Sequence, residues 1–253
     1  MYNDILKIGP FTVHGYGLMI AIGVCTALFI GERRANKRGL SGDTLYPLTL
    51  VCALGGFLGA KIRYCLVAWR LFLQDPLACL SSNGFVVYGG IIAGVFAGWL
   101  YTKIRKLPFW KYFDIVLPSV AIAQAFGRVG CFLAGCCYGA ETDAWYGIAF
   151  SHSDFAPNGV RLIPTQLISS AGMFAIAGIL FCYARKERTP GKVGALYLIL
   201  YSIGRFLVEF LRNDHRGTVG ILSTSQFLSI FILILGFAVM IAAEHLTPKN
   251  TAK

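Results

Sequence analysis

Apolar runs of roughly 17–23 residues recur seven times along this chain of 253 residues, and nothing else in the sequence constrains the fold as strongly. About 20 residues of helix cross the ~30 Å hydrocarbon layer of a bilayer, so each run is long enough to span. The runs are approximately Val13–Gly31, Leu45–Val67, Val86–Tyr101, Ile115–Cys137, Gln166–Tyr183, Val193–Leu211 and Ser225–Ala243. They lack the apolar–polar alternation of barrel strands, and lipid demands backbone groups satisfied within the segment, which leaves helices. Only 14% of the residues are charged, well below the fraction of about 25% usual in soluble domains. The expected fold class is all-α, a polytopic membrane protein of about seven transmembrane helices forming a single domain over residues 1–253.

The formal net charge of +11 raises the question of nucleic acid, which the placement of the 23 Lys and Arg answers. Four fall in Arg33–Arg38, four in Lys103–Lys111, four in Arg185–Lys192, and Lys249 and Lys253 follow the last run. These are alternate connections. Cytoplasmic loops gather Lys and Arg, so the N-terminus is expected outside and the C-terminus in the cytoplasm. The external segments then carry only Lys7, Arg70, Arg161, Arg212 and Arg216, and no nucleic-acid partner is needed to explain the charge. Asp4 and Lys7 precede the first run and Glu32-Arg33-Arg34 follow it. That order is the reverse of a cleavable signal peptide, so the first helix is expected to be retained.

Of the connections, Trp69–Phe85 and Tyr138–Pro164 are the longest on the external side. The first begins with the aromatic and basic character of an interfacial segment, and the second is polar and turn-rich, a cover for a site in the outer leaflet. Gly55 and Gly59, and Gly90, Gly94 and Gly98, show small-xxx-small spacing, which points to close helix packing.

Charge inside a span needs a reason, because insertion costs roughly 2.5–3.5 kcal/mol per charged group at the helix centre. Arg128 lies in Gly127-Arg128-Val129-Gly130 of the fourth run and Arg205 in Gly204-Arg205-Phe206 of the sixth. Both runs lead outward, and both arginines lie beyond the midpoint. Two converging guanidinium groups make a receptor for a phosphodiester, since the Arg fork matches phosphate oxygens. The competing explanation is structural pairing: Arg205, Glu209 and Arg212 fall at i, i+4 and i+7 on one helix face.

Between Gly127 and Gly139 the chain reads Gly-Arg-Val-Gly-Cys-Phe-Leu-Ala-Gly-Cys-Cys-Tyr-Gly, which permits close approach to a ligand and invites an interrupted helix. Cys131, Cys136 and Cys137 match no common zinc spacing and no nearby histidine completes a set, so no metal site is expected. Redox chemistry at Cys136-Cys137 stays open. Cys25, Cys52, Cys65, Cys79 and Cys182 read as small apolar fillers. His14 and Tyr88 stand at membrane boundaries, where either is an interfacial anchor or a contributor to a cavity shared with the arginines.

Taken in order, these motifs resemble the bacterial phosphatidylglycerol–prolipoprotein diacylglyceryl transferases along nearly the whole chain. The similar elements are Ile8-Gly9-Pro10 through His14-Gly15-Tyr16-Gly17-Leu18-Met19, Arg33-Arg34-Ala35-Asn36, Tyr88-Gly89-Gly90, Gly127-Arg128 through Gly139, Pro164-Thr165-Gln166-Leu167, and Gly204-Arg205 through Glu209 to Arg212. The resemblance implies seven helices in a bacterial plasma membrane, with membrane lipids around them. It also implies that the thiol of a lipobox cysteine in a prolipoprotein signal peptide attacks the terminal glyceryl carbon of phosphatidylglycerol. A thioether forms and glycerol 1-phosphate leaves, with no cofactor.

On this mapping Arg128 and Arg205 bind the phosphate and stabilise charge on the leaving group. Tyr88 relays the thiol proton, and Glu209 either orients Arg205 or accepts that proton. Tyr16, His14, Gly89, Gly90, Gly139 and Arg212 contribute to substrate binding. The chain departs from the family's usual pattern at Cys131, Ala134 and Cys136, where asparagines and a glutamate are usual, and at Ile163, where a histidine is usual. Those departures are what a lipid-binding or lipid-transferring paralogue without the transferase step would show. A transporter would require broken helices at matching positions of two halves, and no such symmetry is present.

Overall fold

The computed structural model describes residues 4–8, 11–82, 84–213 and 217–245. Gly9 and Pro10 of the opening motif, Arg216, Lys249 and Lys253 lie outside the described residues. The chain begins with a hairpin of β1 (Asp4–Ile8) and β2 (Phe11–His14), followed by α1 (Gly15–Lys37), α2 (Leu45–Val67), two short helices α3 (Trp69–Gln74) and α4 (Pro76–Ser81), α5 (Val87–Ile104) and α6 (Phe109–Ala134). A small hairpin-like pair β3 (Ile148–Ala149) and β4 (Arg161–Leu162) precedes α7 (Thr165–Tyr183) and α8 (Lys192–Glu209). The pair β5 (Thr218–Val219) and β6 (Leu222–Ser223) leads into α9 (Thr224–His245).

Six of these helices (α1, α2, α5, α6, α7 and α9) are long and apolar enough to cross a membrane. The chain is an all-α, multi-pass membrane protein. The sixth expected span is present as α8, 18 residues long, but it carries Lys192, Arg205 and Glu209 and falls short of the other six in apolar composition. Large apolar side chains point outward along the spans, among them Leu50, Phe57 and Ile62 of α2 and Ile234 and Phe237 of α9. Water would penalise such a surface, whereas hydrocarbon does not.

The described residues group into two compact units, those up to Gly31 with those from Phe113 onward, and those from Glu32 to Tyr112. In the second unit α2 and α5 are packed through their glycines. A Cβ on Gly55 would stand 2.6 Å from the Ala97 Cβ, one on Gly59 would stand 2.7 Å from the Gly89 carbonyl oxygen, and one on Gly98 would stand 2.7 Å from the Cys52 sulfur. The small-xxx-small spacing therefore serves backbone approach, as expected.

Lys61 is buried on α2. Its Nζ donates to the Ser82 carbonyl at 2.6 Å and lies 4.9 Å from the Phe85 ring centroid, so the charge is held by a carbonyl and a π face. Asp75 caps α4, accepting from the Ala78 N–H at 2.9 Å, and Pro76 occupies the first turn. The interfacial stretch read from Trp69 onward is thus a pair of short helices.

In the first unit α6, α7 and α8 share a core of Leu117, Ala121, Ala125, Ile176, Leu180 and Tyr197. Two polar groups inside it are paired: Tyr197 donates to Gln124 Oε1 at 2.8 Å and Ser170 donates to the Ala125 carbonyl at 2.9 Å. Asp114 on α6 accepts from the Gly191 and Gly194 N–H groups at 2.7 and 2.8 Å. A carboxylate at the N-terminus of α8 meets two otherwise unpaired donors and the positive end of the helix dipole. On the other side of α6, Gly23 lets α1 approach, since a Cβ there would stand 3.0 Å from the Ala123 carbonyl.

Replacing Gly59 with Val should force α2 and α5 apart and destabilise the protein by about 1–3 kcal/mol, the usual cost of overpacking. Gly172→Ala on α7, where a Cβ meets nothing within 4 Å, should be neutral or stabilising by about 0.5–1 kcal/mol. Thermal unfolding of the two variants in detergent, compared with the parent, measures both.

Candidate functional site

The last third of α6 carries Gly127-Arg128-Val129-Gly130-Cys131, and Gly130 brings this stretch against the start of α1. A Cβ on Gly130 would stand 3.2 Å from both the Tyr16 ring and its carbonyl oxygen. Tyr16 is consequently near Arg128 and near Cys131, Cys136 and Cys137, close enough for each to act on its hydroxyl electrostatically. Tyr16 and Arg128, each expected at the substrate, thus lie near one another.

Arg205, four residues before the end of α8, is nearly buried. Its Nη1 lies 2.7 Å from Glu209 Oε2, with side-chain exposures of 9% and 7%, and its Nη2 donates to Ser225 Oγ on α9 at 2.7 Å. The structural pairing considered from the i, i+4 spacing is therefore present. It does not complete the charge balance, because Arg128 and Arg212 are near enough to Arg205 to repel it. Three guanidinium groups share one region, and among the described residues Glu209 is the carboxylate that pairs with one of them. Arg128 is half-buried on a membrane-spanning helix, and among the described residues it has neither a hydrogen-bond acceptor nor a carboxylate partner.

Two left-handed residues end α6 and redirect the chain, Gly135 at φ 72° and Cys137 at φ 63°. For a non-glycine residue this backbone costs roughly 1–2 kcal/mol, so surrounding contacts must hold it. They are supplied by the first turn of α7: Thr165 Oγ1 donates to the Cys137 carbonyl and Gln166 Nε2 to the Cys136 carbonyl, each at 2.8 Å. The Pro164-Thr165-Gln166 element is thus a clamp on the segment after α6, a role its sequence alone did not disclose.

Gly139 is pinned next. Its N–H donates to the Ile163 carbonyl at 3.1 Å, it bridges to Arg212, and the Ala140 N–H donates to the Leu211 carbonyl at 2.9 Å. The segment after α6 is thereby tied to the residues following α8, which positions Arg212. Ile163, where the family's histidine is usual, takes part through its backbone alone, donating to the Ala140 carbonyl at 2.9 Å.

The same turn gathers sulfur. The Sγ atoms of Cys131, Cys136 and Cys137 all lie within 4.8 Å of one another. Linear spacing gave no metal pattern because it does not register the reversal at Gly135 and Cys137. Cys137 is held below the ordinary thiol range by hydrogen bonds with the Cys131 and Cys136 thiols and by the Arg212 guanidinium, while Cys136 is pushed up by its bonds to the other two sulfurs.

The remaining expected residues stand on other elements. His14 ends β2, exposed, with Nδ1 2.7 Å from Asp4 Oδ1 across the hairpin. Tyr88, Gly89 and Gly90 form the first turn of α5 in the second unit, where a Cβ on Gly90 would stand 2.9 Å from the Gly56 carbonyl. The packing role of the two glycines is evident there. A concavity of about 400 Å³ in that unit, lined by Thr44, Tyr101, Ile104, Arg105, Lys106 and Leu107, contains none of these groups.

Fold and site together define a multi-pass helical membrane protein with an arginine-rich polar site near the C-terminal ends of α6 and α8. A family model described as prolipoprotein diacylglyceryl transferase matches residues 3–242. The chain is 47% identical over 226 residues to phosphatidylglycerol–prolipoprotein diacylglyceryl transferase 2 of Clostridium perfringens, covering 88% of each chain. It is 45% identical over 228 residues to the corresponding transferase of Clostridium tetani, covering 90% of this chain and 92% of the relative. The transferase of Bacillus cytotoxicus is 32% identical over 243 residues, covering 93% and 90%. The chain belongs to the prolipoprotein diacylglyceryl transferase family.

A Cβ on Gly139 would stand 2.7 Å from the carbonyl oxygens of both Ile163 and Leu211. Gly139→Ala should therefore break the junction that positions Arg212, lowering stability by about 1–3 kcal/mol. Thermal unfolding together with limited proteolysis in the 140–165 segment measures the effect.

Proposed function

We propose that this protein transfers the diacylglyceryl group of phosphatidylglycerol to the lipobox cysteine thiol of prolipoproteins in the bacterial plasma membrane. The observation that carries the reading is Arg128, a half-buried guanidinium with no acceptor among the described residues, beside Arg205 and Arg212. Among the described residues the carboxylate paired in this cluster is Glu209, which Arg205 holds, and a lipid phosphodiester matches the guanidinium of Arg128. The family membership and the names of the relatives support the same substrates.

In the reaction the acceptor sulfur forms a bond to the terminal glyceryl carbon, and that carbon's bond to the phosphate ester oxygen breaks. Glycerol 1-phosphate leaves with one more negative charge on its phosphate than the diester carried. Fixed guanidinium donors aimed at that phosphate bind the dianion more strongly than the diester, which lowers the barrier. Arg205 is well suited to the task because Glu209 and Ser225 fix its plane. The ion pair supports an orienting role for Glu209. The acceptor thiol must lose its proton, since an ordinary thiol with a pKa of about 8.5 is mostly protonated at neutral pH. The resemblance gives the relay of that proton to Tyr88, and Tyr16 is our candidate for positioning the headgroup. The alternation of basic loops supports an external N-terminus, and with it a site in the outer half of the membrane.

Labelled diacylglyceryl transfer from phosphatidylglycerol to a lipobox peptide tests the proposal. Arg128→Ala and Arg205→Ala should each lower the rate by about 100-fold or more, the usual cost of losing one transition-state donor. Glu209→Gln should lower it less, and a Cys→Ser peptide should be inert. Phosphatidylglycerol binding with no thioether product would instead identify a lipid-binding paralogue, the reading that Cys131, Ala134 and Cys136 favour.

A further inference from the structure

We propose that Cys131, Cys136 and Cys137 form a three-thiolate site for a thiophilic d10 cation of the Zn²⁺ class, with a fourth coordination position open to an added thiol. Three observations carry it. The sulfurs already lie within 4.8 Å of one another, and zinc–sulfur bonds of about 2.3 Å place tetrahedral ligands about 3.8 Å apart, so closure needs side-chain adjustment only. Thr165 and Gln166 hold the Cys137 and Cys136 carbonyls from outside, and the Cys136 N–H donates to the Cys131 carbonyl at 3.1 Å, so the backbone bearing the sulfurs is fixed. Arg212 contacts Cys137, and Arg128 is near Cys131. Three thiolates around a dication leave one negative charge, which either guanidinium balances.

Among the described residues no His, Cys, Asp or Glu joins the set as a fourth ligand. Three protein ligands with an open position is the arrangement of reactive zinc rather than structural zinc. Metal uptake releases the protons of the three cysteine thiols to the aqueous phase, and a thiol entering the fourth position binds as thiolate and releases its proton there too, with no oxidant or reductant involved. If the transferase reading holds, the entering group is the acceptor cysteine, and the metal supplies the activation that Cys131 and Cys136 in place of amide and carboxylate groups would otherwise leave to Tyr88 or Glu209. Metal capture itself does not depend on that reading.

The test is Co²⁺ titration of the reduced, detergent-solubilised protein under anaerobic conditions, with Zn²⁺ competition and metal analysis of the desalted protein. One equivalent of cobalt with a thiolate-to-metal charge-transfer band, displaced by Zn²⁺, is the expected result. The band should be lost in Cys131→Ser, Cys136→Ser and Cys137→Ser, and retained in Cys25→Ser and Cys182→Ser. Parent protein that takes up no metal, or uptake that persists in all three site variants, overturns the site. A lipobox peptide should then change the visible bands of the bound cobalt, and its Cys→Ser form should not. Bound cobalt that is indifferent to the peptide removes the acceptor role and leaves the metal site standing. Diacylglyceryl transfer, measured separately, reports on the transferase reading alone.

Discussion

The constraint on which the rest of this molecule depends is the cost of holding a guanidinium on a membrane helix. Arg205 meets it with Glu209 and Ser225. Arg128 does not meet it from among the described residues, and Arg212 adds a third positive charge nearby. A helix whose only task was to span would carry none of these groups. On the proposed function, an anion bound there would complete the charge balance on fixed donors.

Around that cluster the chain is organised to fix positions. Asp114 caps α8 from α6 and Tyr197 joins Gln124, so the helices bearing Arg128 and Arg205 are tied by hydrogen bonds as well as by packing, and Ser170 ties α7 to α6 through Ala125. Beyond α6 the left-handed residues Gly135 and Cys137 turn the chain, Thr165 and Gln166 hold its carbonyls, and Gly139 locks it to the residues after α8. Backbone strain at Cys137 is thereby borne where it assembles chemistry, since the same turn collects three sulfur atoms.

The spans were legible because lipid leaves helices as nearly the only solution for long apolar runs. Their ends were less so: α6 begins at Phe109, well before the expected Ile115, because aromatic and charged residues there continue the helix beyond the apolar run. The sulfur cluster was hidden for another reason. Linear spacing predicts proximity only along a regular helix, and a left-handed reversal at two residues has no reliable sequence signal when one of them is cysteine. The clamp by Thr165 and Gln166 was likewise invisible, since it joins residues 28 and 30 positions apart. Arg128 and Arg205 were readable because charge within an apolar run is costly enough to need a cause; Lys61, also within a run, was given no role, and its cause is a carbonyl and an aromatic ring rather than a carboxylate.

The most direct test of the central claim is a structure of the protein in phosphatidylglycerol nanodiscs, read at the lipid phosphate. Density for a phosphodiester within hydrogen-bonding reach of both the Arg128 and Arg205 guanidinium groups is the result this account predicts. A headgroup bound elsewhere, with Arg128 neutralised by a protein carboxylate, would contradict it.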